Sequence, residues 1–355
     1  MSFGATIIKW YEIHKRDLPW RKTRNPYLIW LSEIILQQTR IDQGLAYYYK
    51  FAENYPDINI LARAKESEVL KLWQGLGYYS RAKNLHATAR IIAKDFGGKF
   101  PEDYPTIRAL KGIGDYTAAA ITSFSFNLPY PVVDGNVYRL LSRYYGIRTP
   151  IDSPAGKKEF SKLAFELLNG FTPSVYNQAI MEFGARQCKP ANPDCSICPL
   201  NISCFAFSKK SVKDFPVKKN KVKSRDRFFN YIVVRKGNSY FIRKRTGKDI
   251  WQGLHDFPLI ETTKKVSAKN LINSASWKKL FAPKKVQPTH VSNEYKHVLS
   301  HQTIYAFFFE VVVSQKEFDN MKAGLIKVTD DSLKKYAIPR LVDKYLKERH
   351  KLFVN

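Results

Sequence analysis

All four cysteines of this 355-residue chain fall within one short segment, and their spacing is that of a metal site. Cys188, Cys195, Cys198 and Cys204 are separated by six, two and five residues. In a reducing compartment, thiols clustered in this way bind metal rather than pair as disulfides. Structural zinc sites usually combine two short cysteine pairs, whereas this run has a single short pair between longer intervals. The spacing therefore favours a 4Fe-4S cluster in a loop over residues 188–204.

A second candidate for chemistry is an acidic residue inside an apolar helical segment. Residues 26–39 read Pro-Tyr-Leu-Ile-Trp-Leu-Ser-Glu-Ile-Ile-Leu-Gln-Gln-Thr, and Glu33 is the one acidic or basic side chain among them. Burial disfavours a charged carboxylate and raises its pKa, so that the group can hold a proton at neutral pH. Glu33 could instead turn outward to solvent, but Trp30 and Ile34 beside it favour burial. The pattern predicts a protonated acid that can donate.

Two glycines and an aspartate lie between further helical segments. Gly112 and Gly114 permit positive φ and a close approach of the backbone to a ligand, and Asp115 is expected to cap the next helix. Amides at a helix N-terminus can bind a phosphate oxygen. Asp134 begins another helix twenty residues after Gly114, where it could serve simply as an N-cap. Together with the cysteine loop, the hairpin and the aspartate form a far more specific pattern than any one of them.

The charge of the chain points to a polyanionic partner. The chain has 59 Lys and Arg against 31 Asp and Glu, a formal charge of +28. Such an excess favours nucleic acid ahead of an acidic membrane, because no basic amphipathic helix stands out. No stretch approaches the roughly 20 apolar residues of a membrane helix, and no signal peptide is evident. We expect a soluble cytoplasmic protein, associated with the nucleoid if bacterial.

The periodicity of apolar residues divides the chain into two halves. Helical spacing recurs in residues 7–13, 27–36, 69–73, 85–92, 117–124, 137–145, 160–168 and 176–183, which predicts an all-α first half. Residues 209–227 hold nine basic and two acidic side chains, and are predicted to be a linker that is a plain tether or lies along phosphates. After the linker we expect strands at 228–235, 240–243 and 303–313, a tight turn at 236–239 and a helix at 339–348, which predicts an α+β second half.

The order of these motifs resembles that of a known family over roughly residues 5–208. A two-glycine hairpin, an aspartate and a four-cysteine loop follow one another as in the helix-hairpin-helix DNA glycosylases of the endonuclease III superfamily. The resemblance implies that Gly112 and Gly114 grip a DNA backbone and that Asp134 serves cleavage of the glycosidic bond. Members that also cut the backbone carry a lysine where this chain has Tyr116. A lysine amine can form a Schiff base with the sugar and a phenol cannot, so Tyr116 predicts a monofunctional glycosylase.

Within that superfamily, the segment around Glu33 is similar to that of the adenine DNA glycosylases of the MutY type. Trp20-Arg21 before it and Leu76-Gly-Tyr-Tyr-Ser80 after it strengthen the likeness. The resemblance implies extrusion of an adenine opposite 8-oxoguanine or guanine, protonation of its N7 by Glu33, and stabilisation of the resulting sugar cation by Asp134. The resemblance also implies that Tyr116 and Asn136 hold Asp134 and water in place. It implies that Arg21 lines the base pocket and that Gln38 and Tyr78 intercalate into the duplex. Thr39 and Leu76 are expected to contact the oxidised guanine. Ordinary packing is an equal alternative for Leu76.

The second half resembles the C-terminal domain of the same family, which has the Nudix fold. The segment Ile250-Trp-Gln-Gly-Leu-His-Asp-Phe-Pro258 carries most of this likeness. The glutamate cluster that a Nudix hydrolase needs for magnesium is missing after Pro258, so nucleotide hydrolysis is not expected. The family reads 8-oxoguanine through a Phe-Ser-His loop, which implies this role for Ser300 and His301, with Leu299 in place of the phenylalanine.

These inferences predict a multidomain chain. Residues 1–208 are expected to form an all-α helix-hairpin-helix glycosylase domain with a 4Fe-4S loop, 209–227 a basic linker, and 228–355 an α+β Nudix-like domain. The predicted enzyme is a monomer that excises adenine from A:8-oxoG or A:G mispairs in double-stranded DNA, without a membrane partner. Three alternatives stay open: a thymine-mismatch glycosylase of the same superfamily, a catalytically silent DNA-binding protein and a nucleotide pyrophosphohydrolase.

Overall fold

The computed structural model describes residues 2–219, 224–281, 286–319 and 324–353. The chain divides into two compact units, the first made of Met1–Arg63 and Asn84–Lys221 and the second of Ala64–Lys83 and Val222–Asn355. Part of the predicted linker, residues 220–223, lies outside the described residues. Of the described part, Val217 accepts a backbone hydrogen bond from Ile151 within the first unit. The first strand of the second unit begins at Arg225.

Residues 2–219 form helices and, as far as they are described, no strand. These helices are α1 (Phe3–His14), α2 (Pro26–Leu36), α3 (Ile41–Asn54), α4 (Ile58–Arg63), α5 (Glu66–Leu72), α6 (Ser80–Asp95), α7 (Tyr104–Ala109), α8 (Asp115–Phe126), α9 (Gly135–Tyr145), α10 (Pro154–Leu168), α11 (Pro173–Arg186) and α12 (Phe205–Ser208). Every helical segment predicted from apolar periodicity overlaps one of them. The prediction of an all-α first half is confirmed.

Local sequence explains where helix α2 begins and why it lies in the interior. The side chain of Asn25 accepts a hydrogen bond from the amide of Tyr27 at 2.9 Å, and Pro26 occupies the first helical position, where its missing N–H costs nothing. From residue 29 to residue 35 every side chain of α2 is buried. An apolar helix without a polar face is typical of a domain core. Helix α2 therefore carries Glu33 into the interior of the first unit.

The second unit is built on a mixed β-sheet. Its described strands are β1 (Arg225–Lys236), β2 (Ser239–Lys244), β3 (His255–Asp256), β4 (Leu259–Thr262), β5 (His290–Val291), β6 (Tyr295–Val298), β7 (Gln302–Val312) and β8 (Ile326–Thr329). They follow the order β3-β2-β1-β7-β5, with β4 on β1, β6 on β7 and β8 on β2. Strands β1 and β7 pair in parallel over residues 225–235 and 302–312, and the other pairs are antiparallel.

Alternate side chains of β7 build the two cores of the second unit. Phe308 packs with helix α17 (Arg340–Phe353) on one face, where its ring stacks on Tyr345 with centroids 3.9 Å apart. Phe309, on the other face, packs with Trp277 of helix α14 (Ala275–Phe281). Helices α13 (Ala268–Ile272), α15 (Gln315–Asp319) and α16 (Asp330–Leu333) also belong to this unit. This arrangement confirms the predicted strands, the turn at 236–239 and the α+β class.

A search of the described helices finds none with the length and apolar character needed to cross a bilayer.

Candidate active site

Glu33 faces a small cavity in the first unit. Only 8% of the residue is exposed, and the cavity, of about 50 Å³, is lined by Trp20, Arg21, Ile29, Ser32, Glu33, Phe124, Gln178 and Met181. Burial raises the pKa of Glu33 to about 7, against the lowering effect of a hydrogen bond from Tyr116. The negative charge of Asp134 also raises this pKa, and the positive charge of Arg21 lowers it. Glu33 can therefore exist in both protonation states near neutral pH.

Asp134 is fixed at the N-terminus of helix α9. Its Oδ1 accepts hydrogen bonds from the amides of Asn136 and Val137, both at 2.8 Å, and its Oδ2 accepts one from the Asn136 side chain at 2.6 Å. Burial raises the pKa of Asp134, and these donors act in the opposite direction because they stabilise the carboxylate. The N-cap role anticipated for Asp134 is confirmed. Asn136 contacts it as well, so these two residues form one group.

Tyr116 is hydrogen-bonded to one of the two carboxyl groups and lies within the electrostatic influence of both. Its hydroxyl donates a hydrogen bond to Glu33, and burial together with the charges of Glu33 and Asp134 raises the pKa of Tyr116 well above its usual value. The phenol is therefore neutral at physiological pH and acts as a donor. The structure brings together Glu33, Tyr116, Asp134 and Asn136, which the sequence had singled out from three separate segments.

Arg21 lines the cavity, but its guanidinium is already held by an acidic residue that the sequence analysis missed. Arg21 donates to Glu182 Oε2 at 2.7 Å, and Arg16 donates through Nε to Glu182 Oε1 at 2.8 Å. The Glu182 side chain is 1% exposed, yet its pKa is lowered to about 2, because the hydrogen bonds from Arg16 and Arg21 outweigh the raising effect of its burial. Glu182 is a lone acid among buried residues of α11, and this is the signal that had identified Glu33.

Arg139 joins the carboxylate group to the cysteine segment. Its Nη2 donates to Asn136 Oδ1 at 2.8 Å and to the Gly184 carbonyl at 2.6 Å, while its Nε donates to the Cys188 carbonyl at 2.8 Å. Arg139 lies on α9, one helical turn after Asn136. Arg139 was not predictable from sequence either, because nothing in the spacing of basic residues along α9 reveals which of them turns inward.

The four cysteines surround one cavity. Leu140, Arg143, Leu200, Phe207 and Val212 line it together with Cys188, Cys195, Cys198 and Cys204, all of which carry free thiols that are only partly exposed. Arg143 Nη1 lies 3.4 Å from Cys188 Sγ and donates to the Lys189 carbonyl at 2.8 Å. Among the described residues, no three His, Cys, Asp or Glu side chains converge closely enough to hold a single metal ion.

The hairpin between α7 and α8 has the expected glycines but a different cap. Gly112 has a φ of +77°, and a Cβ there would lie 2.6 Å from the Asn84 side chain, so this position requires glycine. Gly114 is the N-cap of α8 and has no side chain to satisfy the helix amides. The prediction that Asp115 caps α8 is wrong, because Asp115 is the first helical residue and its carboxylate pairs with Arg108. The first amides of α8 are therefore not capped by a side chain.

Gln38 lies just after α2 in a strained backbone conformation. Its φ is +54°, in the left-handed region that non-glycine residues seldom adopt, and its side chain is exposed. Thr39 follows it, half-buried, and its hydroxyl donates to the Gln37 carbonyl at 3.3 Å. Such conformations are concentrated at functional sites. This strained residue lies two positions after the last residue of the helix that buries Glu33.

The second unit brings together two residues predicted from separate motifs. Tyr78, also with a positive φ of +48°, has its hydroxyl 3.3 Å from the Ser300 hydroxyl. Ser300 in turn lies 3.3 Å from His301 Nδ1 in the exposed turn between β6 and β7. The Arg81 guanidinium stacks 5.7 Å from the Tyr78 ring centroid. Leu76 is only 6% exposed, which fits the packing alternative for that residue.

Two family models match the chain, one in its first half and one in its second half. Residues 31–165 match the family model of the HhH-GPD superfamily base excision DNA repair proteins, and residues 230–348 match that of the NUDIX domain. An adenine DNA glycosylase of Buchnera aphidicola subsp. Schizaphis graminum is 36% identical over 353 residues, which cover 97% of each chain. The chain belongs to the adenine DNA glycosylase family. It is a DNA glycosylase of base excision repair.

A plant relative and two solved structures are also similar to this chain. The adenine DNA glycosylase of Arabidopsis thaliana is 35% identical over 75% of this chain and 49% of its own length. A thermostable thymine-DNA glycosylase is 32% identical, with a TM-score of 0.55 over 58% of this chain and 95% of that one. An endonuclease III–DNA complex is similar in fold, with a TM-score of 0.52 at 22% identity over 58% of this chain and 94% of that one.

Proposed function

We propose that this member of the adenine DNA glycosylase family hydrolyses the glycosidic bond of adenine mispaired with 8-oxoguanine or guanine in duplex DNA. The observation that carries the proposal is the buried Glu33 carboxyl, with a pKa of about 7, in a cavity beside Asp134 and Tyr116. Two neighbouring carboxyl groups with different surroundings can divide the roles of acid and anion between them. The names of the relatives support adenine as the base.

The proposed reaction begins with a proton transfer. An adenine extruded from the duplex is a poor leaving group until its ring is protonated, and protonated Glu33 supplies that proton at N7. As the bond breaks, positive charge develops on the sugar. Asp134 is held by three hydrogen bonds and supplies the opposing negative charge or a transient bond to the sugar. Water then attacks the sugar, and Glu33, now ionised, accepts a proton from it.

Tyr116 and Asn136 position these groups. The Tyr116 hydroxyl orients Glu33, and the Asn136 amide orients Asp134. Because a phenol cannot form a Schiff base with the sugar, the product is an abasic site in an intact strand.

The remaining predicted residues contact the DNA. Arg21 forms the wall of the base pocket, Gln38 and Tyr78 fill the vacated stack, and Thr39 touches the partner base. Ser300 and His301 read the oxidised guanine, and the contact between Tyr78 and Ser300 supports a shared role in recognition.

Cys188, Cys195, Cys198 and Cys204 are proposed to hold a 4Fe-4S cluster. Four thiols around one cavity suit a cluster in which each iron takes one thiolate. Such a cluster would tie the loop into one rigid piece, and nothing in the proposed reaction calls on it for redox chemistry. Arg143 and Arg139 contact the Cys188 segment through its sulfur and its carbonyl. Metal and acid-labile sulfide analysis of purified protein tests the assignment, and zinc without sulfide would contradict it.

The substrate assignment is tested with a panel of duplexes. Purified protein is incubated with A:8-oxoG, A:G, T:G and an oxidised pyrimidine, and each product is examined with and without alkali. Adenine release that gives a strand break only after alkali is expected. The likeness to a thymine-DNA glycosylase makes T:G the second candidate substrate. Activity confined to T:G would replace adenine by thymine in the proposal, and strand cleavage without alkali would contradict the monofunctional mechanism.

A further inference from the structure

An open groove of about 730 Å³ lies beside the hairpin in the first unit. Three elements line it: Arg63 comes from α4, Arg90 and Lys94 come from α6, and Lys111 comes from the hairpin itself. Three alanines, at positions 62, 87 and 93, also line it and keep the groove open between the longer side chains. The groove shares no residue with the Glu33 cavity and is therefore a separate feature.

The charge of this groove is uncompensated. All four basic side chains are exposed, and within the described ranges none of them forms an ion pair. Asp95 is the only acidic residue that lines the groove. Exposed cations of a folded domain lower their mutual repulsion by pairing with acids, as Arg108 and Lys22 do elsewhere in the same unit. Four unpaired cations facing one concavity are suited to a polyanion.

The groove is joined rigidly to the hairpin. The Thr88 hydroxyl, on α6, donates to the Lys111 carbonyl at 2.7 Å. The next residue, Gly112, is closely packed against Asn84 of the same helix. The uncapped amides of α8 follow directly at Gly114. A phosphate held at those amides therefore lies next to the groove, at a distance fixed by α6 and the hairpin backbone.

We propose that this α4–α6 groove binds the sugar–phosphate backbone of duplex DNA next to the segment gripped by the hairpin. The inference rests on the proposed function in one respect, namely that a duplex is the ligand. The groove contributes affinity that does not depend on sequence, through neutralised phosphates and released counterions. Arg63, Arg90, Lys94 and Lys111 are its DNA-binding residues, and none of them takes part in the chemistry.

The test removes two charges from the groove and two from elsewhere. The variant Arg90→Gln/Lys94→Gln is compared with Lys158→Gln/Lys162→Gln on α10, whose lysines are also exposed. The dissociation constant for a 30-base-pair duplex is measured between 50 and 200 mM salt. Each lost phosphate contact reduces the magnitude of the slope of log affinity against log salt by about 0.9. The slope should therefore fall by roughly two for the groove variant and hardly change for the control variant. Equal losses in both variants would overturn the proposal.

A second arm locates the contact and separates it from catalysis. The duplex is shortened to within a few base pairs of the mispair, first on one side and then on the other. Shortening on one side only should abolish the difference between the groove variant and the unmodified protein, and a difference that survives both truncations would contradict the proposal. When the protein is in saturating excess and all of the duplex is bound, the single-turnover rate of adenine release by the groove variant should stay within twofold of that of the unmodified protein. If no duplex yields adenine, the proposed function fails while the binding comparison still decides the role of the groove.

Discussion

The Glu33 carboxyl is subject to two opposing influences. Burial favours its neutral form, and the Tyr116 hydroxyl favours the ionised one, which leaves a pKa of about 7. A general acid with a pKa near the working pH combines sufficient protonation with sufficient acidity. The proposed mechanism uses both forms in turn, first to protonate the base and then to accept a proton from water.

Replacing Glu33 by glutamine should abolish most of the activity. Glutamine keeps the shape of the side chain but cannot release a proton, and general acids contribute about 100- to 10,000-fold. For the unmodified protein, the protonated fraction falls as the pH rises through about 7, so single-turnover adenine release should fall on the alkaline side. The check is the pH profile of Glu33→Gln beside that of Glu12→Gln, an exposed residue of α1. A Glu33→Gln variant with full activity would remove the general acid from the mechanism.

The same substitution should stabilise the protein at alkaline pH. The pKa of Glu33 is raised from 4.5 to about 7 in the folded state, so the unmodified protein loses stability as the pH rises through this range. The loss amounts to about 3 kcal/mol above pH 7, at 1.36 kcal/mol per pKa unit. The Glu33→Gln variant avoids this loss of stability, because glutamine does not ionise. Urea unfolding at pH 5 and pH 8 measures the effect, and a gap between the two proteins that does not grow with pH would contradict a raised pKa.

The salt bridges of Glu182 should give the opposite dependence of stability on pH. Its pKa is lowered to about 2, so its contribution to stability is complete above pH 4.5 and is lost as the pH falls toward 2. Glu182→Gln leaves Arg16 and Arg21 without a charged partner and should cost about 3 kcal/mol at pH 7. The difference from the unmodified protein should shrink in urea unfolding at pH 3. Glu166→Gln, at an exposed residue of α10, is the control and should change the free energy of unfolding by less than about 0.5 kcal/mol.

These two glutamates show which site residues could be predicted from sequence. Glu33 was recognisable because its own segment is apolar on both sides, which is local information. Glu182 has a similar local setting, but its partners Arg16 and Arg21 lie 166 and 161 residues away along the chain. No local pattern pairs residues over such distances. Arg139 was missed for the same reason, since its partner carbonyl belongs to Cys188, 49 residues later.

At the scale of elements, helices and strands followed from periodicity, while their ends depended on details of the backbone. The strands around the turn at 236–239 and helix α2 were predictable because hydrophobic pattern and turn residues agree there. The cap of α8 was not. A capping side chain must precede the helix with extended backbone, and in the structure Gly114 takes that place, with a ψ of 176°. Shifting the boundary by a single residue moved Asp115 into the helix.

Helix α9 allows the structural and chemical roles of Asp134 to be separated. Asparagine caps helices as well as aspartate does, so Asp134→Asn should unfold within a few degrees of the unmodified protein. Asp134→Ala also removes the cap and should lose about 1 kcal/mol. Both variants lack the carboxylate and should lose adenine release by at least 100-fold. Thermal unfolding and single-turnover kinetics on the same samples provide the check, and a fully active Asp134→Asn variant would leave Asp134 only its role as a cap.

At the scale of the whole molecule, the net charge of +28 is useful only where it is arranged. Many basic residues form ion pairs with acidic residues of the protein itself. In the second unit, for example, Arg227 pairs with Asp249 and Glu261. The groove beside the hairpin, in the described part of the first unit, gathers four basic side chains that form no ion pair there. Composition predicted a polyanionic partner, but only the fold shows where unpaired cations are gathered.

In the proposed function, removal of the base depends on the first unit and discrimination of the oxidised guanine on the second, so the two can be altered separately. Ser300 and His301 lie in an exposed turn of the second unit, and Glu33, Tyr116 and Asp134 all belong to the first. Ser300→Ala should lower the preference for A:8-oxoG over A:G by about fivefold, the equivalent of one hydrogen bond of roughly 1 kcal/mol. The rate on A:G should be unchanged, since that substrate lacks the oxidised position. Ser276→Ala, at an exposed residue of α14, is the matched control, and kcat/KM on both duplexes is the measurement. An equal fall on A:8-oxoG and A:G would show that the turn supports DNA binding in general and does not read the oxidised base.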